Sequence, residues 1–367
     1  MVHDLYYKTE ERVLLLAFTH RAVDEICETL EKECPYVRLG TIADTTEAFR
    51  PHLLQPIIDR CDNRAALREE LQKQRFWVGT TARLLAMPQL FDLVDFDTII
   101  VDEASQLLDY QVVSLLKNAH KASILIGDPK QLPAVTLQEG AQSLFEHLYR
   151  KYQQEGKSDK IKHLDHQGRM HPAIAEFANR MFYGGRLQAV GLPHQQEESS
   201  IMPRYAFIDV PSQPLGTKNN PAEANMVARL TRRIADIYEQ HQIEWNEKTL
   251  GIIVPYRQQI AAIKKELESL SIPSSLINID TVERYQGSQR DIIIYTTTIS
   301  TEEQLSLLSA PIELDGQLID RKLNVAVTRA RKQLFVVGNA NLLRANPLYR
   351  LLIEEARTWL SKDIVVT

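Results

Sequence analysis

The sequence has few cysteines and no long apolar run. Its three cysteines, Cys27, Cys34 and Cys61, are odd in number and have no Cys-x-x-Cys spacing. This argues against a disulfide framework or a zinc site and suits a reducing cytosol. No apolar run approaches the roughly 18–20 residues that span a bilayer, and the first residues lack the pattern of a signal peptide. We therefore expect a cytoplasmic protein with no membrane partner.

An excess of positive charge is also lacking. Among 367 residues, 43 Lys and Arg stand against 48 Asp and Glu, which gives a formal net charge of −5. The overall charge therefore gives no support for nucleic-acid binding, and any such binding must be local, through a groove. The length is enough for about two domains with sizeable cores.

What the sequence does contain is an alternation of short apolar runs with helical periodicity. The first run, residues 13–18, precedes a segment whose apolar residues recur at helical spacing. Further runs of strand character are 76–79, 97–102, 123–127, 205–210, 250–254, 291–297 and 334–338. Strands that alternate with helices predict an α/β fold with parallel, doubly wound sheets.

Three segments depart from this alternation. Residues 41–75 mix charged and apolar residues at helical spacing and predict a small helical insertion. The polar residues 150–162 predict a region linking two domains, which we place at 1–155 and 156–367. The segment 301–320 has no clear pattern.

The clearest chemical signal follows the strand-like segment at residue 97. The apolar run Ile99-Ile100-Val101 ends in Asp102 and Glu103, and the carboxyl ends of buried parallel strands are where α/β sheets place their ligands. One carboxylate there can hold Mg²⁺, and a second can take a proton from water. The alternative interpretation is an acidic helix start, since carboxylates also favour first turns.

The next strand-like run is followed by the segment 127–133, Gly-Asp-Pro-Lys-Gln-Leu-Pro. The neutral amide of Gln131 has a donor and an acceptor, so it can contact both an attacking water and a terminal phosphate. A Pro-bounded turn is the alternative. The position of Gln131 one strand after Asp102 and Glu103 favours the nucleotide interpretation.

Cations follow in the second half of the chain. Arg169 precedes an amphipathic helix, and Arg329 and Arg331 lie close together further on. The planar guanidinium fork pairs well with phosphate oxygens, but each arginine could equally be a surface charge. Gly287 could allow close approach of a ligand or could simply end a turn.

Eight segments in order resemble motifs Ia to VI of the superfamily 1 helicases, subfamily 1B. They are residues 17–24, 78–81, 101–106, 127–133, 167–172, 254–259, 279–287 and 324–331. The branch that contains senataxin and the nonsense-mediated-decay helicase is the one they resemble most. The resemblance implies two tandem RecA-like domains of the P-loop NTPase type. It also implies a monomeric ATP-dependent helicase that moves 5′→3′ on single-stranded DNA or RNA and hydrolyses ATP with Mg²⁺ between the domains.

The resemblance also implies catalytic roles. Asp102 would bind Mg²⁺, and Glu103 would polarise the attacking water. Gln131 would contact the γ-phosphate of ATP, which Arg169 and Arg329 would reach from the second domain.

Two further residues, Gly287 and Gln289, would line the nucleotide. The family usually has Glu in place of Gln289, which affects the expected ribose contact, and an aromatic residue in place of Gly168.

Four residues lie in motifs that track a nucleic-acid strand in this family: Thr19, Thr80, Pro255 and Thr281. Such contacts go to phosphates and sugars, so they require neither a basic surface nor much sequence preference. This expectation reconciles an acidic chain with a nucleic-acid partner.

One motif of the family has no match in this sequence. These helicases carry a Walker A loop, Gly-x-x-x-x-Gly-Lys-Thr, whose amides and lysine hold the phosphates, one strand before motif Ia. Gly156-Lys157-Ser158 is not such a loop, because Lys151 stands where the first Gly belongs. Residues 1–11 resemble the end of the helix that follows Walker A, so we expect a first domain without its P-loop. The alternative function is then a truncated helicase that binds nucleic acid or a partner without ATP turnover.

Overall fold

A computed structural model describes residues 2–134, 143–198, 200–211 and 218–358. The chain folds into two compact units. Unit 1 comprises Met1–Pro129 and Pro133–Lys162, and unit 2 comprises Lys130–Leu132 and His163–Thr367. Three residues of unit 2 are therefore flanked on both sides by residues of unit 1, and the proposed domain boundary at residue 155 falls within unit 1.

Unit 1 is built on a parallel sheet with the strand order β2-β3-β1-β4-β5. Its strands are β1 Val13–Ala17, β2 Val37–Leu39, β3 Phe76–Thr80, β4 Phe96–Val101 and β5 Ala119–Leu125. Its helices are α1 Val2–Lys8, α2 His20–Leu30, α3 Gln55–Ile58, α4 Arg64–Gln72, α5 Thr81–Leu85, α6 Asp109–Leu116 and α7 Leu144–Gln154.

Strand β1 shows why this sheet is apolar throughout. All its residues are buried, and they alternate between two cores. Leu14 and Leu16 join one apolar cluster, whereas Val13, Leu15 and Ala17 join another. A parallel strand covered on both faces needs apolar residues at every position, because successive side chains point to opposite faces.

Unit 2 contains a second parallel sheet, with the order β10-β9-β11-β14-β8-β15. Its strands and those beside it are β6 His166–Gln167, β7 Gln188–Ala189, β8 Tyr205–Asp209, β9 Leu250–Val254, β10 Asn278–Thr281, β11 Arg290–Thr296, β12 Pro311–Leu314, β13 Gln317–Asp320, β14 Ala330–Gly338 and β15 Arg357–Thr358. Its helices are α8 Pro172–Phe182, α9 Pro193–Gln196, α10 Pro221–Gln240, α11 Arg257–Ser269, α12 Val282–Tyr285, α13 Leu305–Leu308, α14 Arg321–Val327, α15 Ala340–Leu343 and α16 Pro347–Glu355.

The two parallel sheets confirm the predicted α/β fold class, and α3 and α4 lie in the predicted helical insertion. The segment without a clear pattern contains α13 and then the antiparallel hairpin β12–β13, whose turn residues Asp315 and Gly316 have φ of 54° and 71°. Such a turn favours Asp-Gly. The first part of the predicted linker, residues 150–154, continues α7.

Candidate nucleotide and nucleic-acid sites

The predicted catalytic carboxylates directly follow β4. The backbone N–H of Asp102 donates to the carbonyl of Leu16 at 2.7 Å, so the β1–β4 pairing extends to the carboxylate itself. Glu103 then turns the chain with φ 52° and ψ 37°, in the left-handed region. Its carboxylate accepts a hydrogen bond from Nε2 of Gln106 at 3.0 Å. Left-handed backbone at a residue other than glycine costs about 1–2 kcal/mol and is concentrated at functional sites.

Asp102 has the electrostatics of a cation ligand. Burial raises the pKa of Asp102 above its ordinary value, and the negative charges of Glu103 and Glu25 raise it further. A divalent cation would offset this crowding of negative charge. Within the described residues no group of three or more His, Cys, Asp or Glu side chains could hold a metal. Mg²⁺ usually takes one or two carboxylates and keeps its waters and phosphate oxygens, so the carboxylates at this strand end fit that ion.

Gln131 and Arg329 lie together in unit 2. Nη2 of Arg329 donates to Oε1 of Gln131 at 2.6 Å, and Nε of Arg329 donates to the carbonyl of Val325 at 3.0 Å. The Arg329 side chain is 1% exposed. A buried guanidinium therefore has a fixed orientation against the amide that was predicted to contact a phosphate.

Arg169 lies in the same region of unit 2. Its Nε donates to Oε1 of Gln289 at 3.1 Å, and its Nη1 donates to the carbonyl of Thr328, the residue before Arg329, at 3.3 Å. A glutamate at position 289 would form an ion pair with Arg169. The neutral Gln289 forms the hydrogen bond without adding a negative charge, so less of the positive charge of Arg169 is offset.

The segment Lys130–Leu132 is held by unit 2 along its length. Nδ2 of Asn324 donates to the Lys130 carbonyl at 2.8 Å, and Nζ of Lys130 donates to the Phe182 carbonyl at 2.6 Å. Nε2 of Gln286 donates to the carbonyl of Leu132 at 3.3 Å. Sequence reasoning gave Asn324 no role, although it opens one of the quoted motifs. It is fully buried and fixes the backbone next to Gln131.

Arg331 differs from Arg329. It lies within β14, where its Nη1 pairs with Oδ1 of Asp291 at 2.8 Å, and Lys332 pairs with the same carboxylate at 3.1 Å. Neither Arg329 nor Arg331 is a helix-surface charge, because α14 ends at Val327. Arg331 thus has a structural ion pair, whereas Arg329 contacts Gln131, the residue that was predicted to contact the γ-phosphate.

The predicted nucleic-acid residues of unit 1 follow adjacent strands. Thr80 is the last residue of β3 and pairs with Ala17, the last residue of β1. Thr19 follows Ala17 by two residues. The hydroxyl of Thr19 accepts from Ala22 N–H at 3.2 Å and caps α2, and the hydroxyl of Thr80 accepts from the N–H of Arg83 and caps α5. Thr19 is exposed, whereas Thr80 is 4% exposed. Both lie at the carboxyl edge of the sheet, the edge that also carries Asp102.

In unit 2, the predicted nucleic-acid and nucleotide residues lie at opposite edges of the sheet. Pro255 follows β9 and Thr281 ends β10, at the carboxyl edge. Gln289 precedes β11 and Arg329 precedes β14, at the amino edge. A strand of five residues makes these edges about 15 Å apart.

The short helix α12 and the turn after it connect the two edges. The helix begins immediately after Thr281, and its buried Tyr285 lies directly over β9 at Gly251, where any Cβ atom would collide with the Tyr285 hydroxyl. Gly287 then adopts a φ of 77°, which favours glycine. The glycine in β9 therefore allows the crossing segment to lie flat against the sheet.

Parallel α/β units with carboxylates at the end of a strand are found in P-loop NTPases, where an Asp at that place holds Mg²⁺. Two family models, each described as an AAA domain, match residues 54–139 and 140–341. The chain belongs to the superfamily 1 helicases, which confirms the resemblance seen in its motifs.

Individual known proteins show the same relationship. The chain is 30% identical over 283 residues, 71% of its length, to the probable helicase MAGATAMA 3 of Arabidopsis thaliana. It is also 30% identical over 278 residues, 72% of its length, to Helicase SEN1 of Saccharomyces cerevisiae. It spans 32% and 12% of the lengths of these relatives. A solved structure of the PRRSV helicase aligns with a TM-score of 0.47 and 15% identity, over 94% of this chain and 51% of that one.

In the part of the chain that the structure describes, no helix has both the length and the apolar character needed to cross a membrane.

Proposed function

We propose that this chain is the ATP-hydrolysing, strand-tracking core of a helicase that acts on single-stranded DNA or RNA. The observation that carries the proposal is the hydrogen bond from the buried Arg329 to Gln131. It joins a fixed cation to a neutral amide that can contact water and phosphate at once. Family membership supports the same class of reaction.

The residues divide the chemistry of phosphoryl transfer among them. Asp102 would hold Mg²⁺, which when bound neutralises phosphate charge. Glu103 accepts a proton from the attacking water, and Gln131 orients that water. Arg329 and Arg169 stabilise the negative charge that develops on the transferred phosphoryl group.

Nucleic acid would lie along the carboxyl edges of the sheets, at Thr19 and Thr80 in unit 1 and at Pro255 and Thr281 in unit 2. The exposed Thr19 at the start of α2 suits a phosphate, because helix N-termini attract anions. Contacts of this kind read the backbone rather than the bases. They are consistent with the net charge of −5.

A second candidate function is binding of nucleic acid or a partner without turnover. It applies to the 367 residues taken alone, in which no Gly-x-x-x-x-Gly-Lys-Thr segment occurs. Without the phosphate cradle, the free energy of nucleotide binding and of transition-state stabilisation should be less favourable by several kcal/mol. Single preorganised donors in other enzymes make contributions of this size.

The test is ATP hydrolysis with and without single-stranded DNA and RNA. We expect the 367-residue chain to hydrolyse ATP near background, and we expect a chain that also carries an upstream Walker A loop to be stimulated by single strands. Glu103→Gln in the longer chain should abolish that stimulation. No stimulation by either nucleic acid would exclude the helicase function. Robust turnover by the 367-residue chain, lost in Glu103→Gln, would exclude the second candidate.

A further inference from the structure

A buried imidazole connects the two segments of unit 2 that carry Arg169 and Arg329. His194 is 5% exposed and lies in the short helix α9. Its Nε2 is 2.9 Å from the carbonyl oxygen of Arg169, and its Nδ1 is 3.4 Å from Nη2 of Arg331. The same two segments are also tied by the backbone, since His171 N–H donates to the Arg331 carbonyl at 2.8 Å.

These contacts determine which ring nitrogen of His194 carries the hydrogen. A carbonyl oxygen only accepts, so Nε2 must carry the hydrogen. The guanidinium of Arg331 only donates, so Nδ1 must be bare. The imidazole is therefore the neutral Nε2–H tautomer.

His194 belongs to a segment, Gly191–Glu197, that covers the Arg169 backbone. Within this strap, Gln195 donates from Nε2 to the carbonyls of Gln167 and Met170, at 2.9 and 3.0 Å. The Oε1 atom of Gln195 accepts from two backbone N–H groups of the strap itself. The strap therefore holds both its own turn and the backbone on either side of Arg169.

A second imidazole has the same tautomer. His171 Nε2 donates to the Glu197 carbonyl at 3.1 Å, and its Nδ1 accepts from the N–H of Ala173 at 3.2 Å. Burial lowers the pKa of His171, and the positive charge of Arg204 lowers it further, against the opposing effect of Glu197.

The charged and titratable groups around His194 come from three elements. Arg331 faces it from β14 and is itself paired with Asp291 of β11, and His171 lies near it at the start of α8. The guanidinium of Arg331 therefore lies on the Nδ1 side of the His194 ring.

We propose that His194 is a positioning residue, which in its neutral form sets the Arg169 backbone against the segment that carries Arg329. The two guanidinium groups are then held ready for one phosphate. This inference rests on the proposed function.

Two substitutions separate this role from simple packing. His194→Gln keeps one donor and one acceptor in a neutral side chain, whereas His194→Met keeps a similar volume and loses both. In the active, Walker A-containing chain we expect His194→Met to lower kcat roughly 10- to 100-fold with a smaller change in KM. His194→Gln should stay near wild type in both kcat and KM, because its amide can replace the donor and the acceptor of the imidazole.

A measurement without nucleotide makes the two proposals separately testable. In ¹⁵N-labelled 367-residue chain, Arg169 Nε–H should be protected from exchange in the wild type and in His194→Gln, and exposed in His194→Met. His194 itself should show the neutral Nε2–H tautomer. Equal protection of Arg169 in all three proteins, or an Nδ1–H tautomer, would overturn the inference even if ATP turnover is robust. Absent turnover with the expected protection pattern would overturn the proposed function and leave the positioning role supported.

Discussion

Nη2 of Arg329 lies 2.6 Å from Oε1 of Gln131, although 198 residues separate the two in the chain. The arginine is buried, and its Nε is bound to the Val325 carbonyl. Both ends of the guanidinium therefore have partners before any nucleotide arrives. Such preorganisation is what makes a cation effective in stabilising a transition state, because little reorganisation is needed when charge develops.

Arg329→Lys should nearly abolish nucleic-acid-stimulated ATP turnover. A lysine carries its charge on one ammonium group and lacks the guanidinium fork, so it cannot donate to the Val325 carbonyl and to Gln131 Oε1 at the same time. We expect kcat to fall by about 10³-fold, which is typical for loss of an arginine finger. Arg180→Lys is the matched control, because Arg180 is a partly exposed arginine on α8. Single-turnover hydrolysis is the measurement, and a fall of less than about fivefold would contradict the assigned role.

Glu103→Gly should make the protein more stable while removing the proposed catalytic base. Glycine adopts the observed φ of 52° without strain, although it gains more entropy on unfolding. We expect a net gain of roughly 0.5–1 kcal/mol in the free energy of unfolding. Glu103→Gln retains the strained backbone and should show no gain. Urea unfolding of both variants checks this, and a glycine variant less stable than the glutamine variant would contradict it.

Asp24→Asn should destabilise unit 1 strongly. Asp24 pairs with Nη1 of Arg38 at 2.8 Å, and Arg38 is 1% exposed. Removing one partner leaves a buried positive charge without its counter-charge, which typically costs about 3–5 kcal/mol. The control is Glu25→Gln on the same helix, because its pair with Arg21 is exposed and should contribute less than about 0.5 kcal/mol. Thermal unfolding of both variants is the measurement, and equal shifts in Tm would refute the prediction.

Glu223 should make stability depend on pH. Burial raises the pKa of Glu223 from its ordinary 4.5 to about 7, against hydrogen bonds from Thr296, Thr298 and Asn220. Between these values the unfolded chain has released the proton and the folded protein keeps it. The free energy of unfolding should therefore decrease as pH rises across this window, by on the order of 3 kcal/mol.

Unfolding measured from pH 5 to 8 tests this prediction. Glu223→Gln cannot ionise and should lose most of the pH dependence. Glu239→Gln, an exposed position on the same helix, should retain it. Parallel curves for the wild type and Glu223→Gln would show that the glutamate does not titrate in this window.

The positions of strand ends could be predicted from the sequence, because an apolar run that stops at a polar residue is a local signal. Asp102 and Thr19 were located in this way, and the order of motifs suggested that Gln131 and Arg329 act together. The roles of these residues stay predictions until they are measured.

Other features depend on information that no local pattern carries. The left-handed backbone of Glu103 and the ion pair of Arg331 with Asp291 arise from tertiary contacts, which the local sequence does not show. His194 lies in Pro193-His-Gln-Gln, which matches no motif, and its importance comes from Arg169 and Arg331. The hairpin at 311–320 did carry a signal, Asp315-Gly316, but its flanking strands alternate too weakly to be recognised.

The placement of Lys130–Leu132 in unit 2 has a consequence during synthesis. The hydrogen bonds to Lys130 and Gln131 come from residues 194 and 198 positions later in the chain. At about 5–20 residues per second, a ribosome needs on the order of 10–40 s to deliver those partners. A nascent chain stalled before Asn324 would carry Asp102, Glu103 and Gln131 but would lack the contacts that orient Gln131. The contacts that orient Gln131 therefore form only after the segment that carries Asn324 and Arg329 has been synthesised.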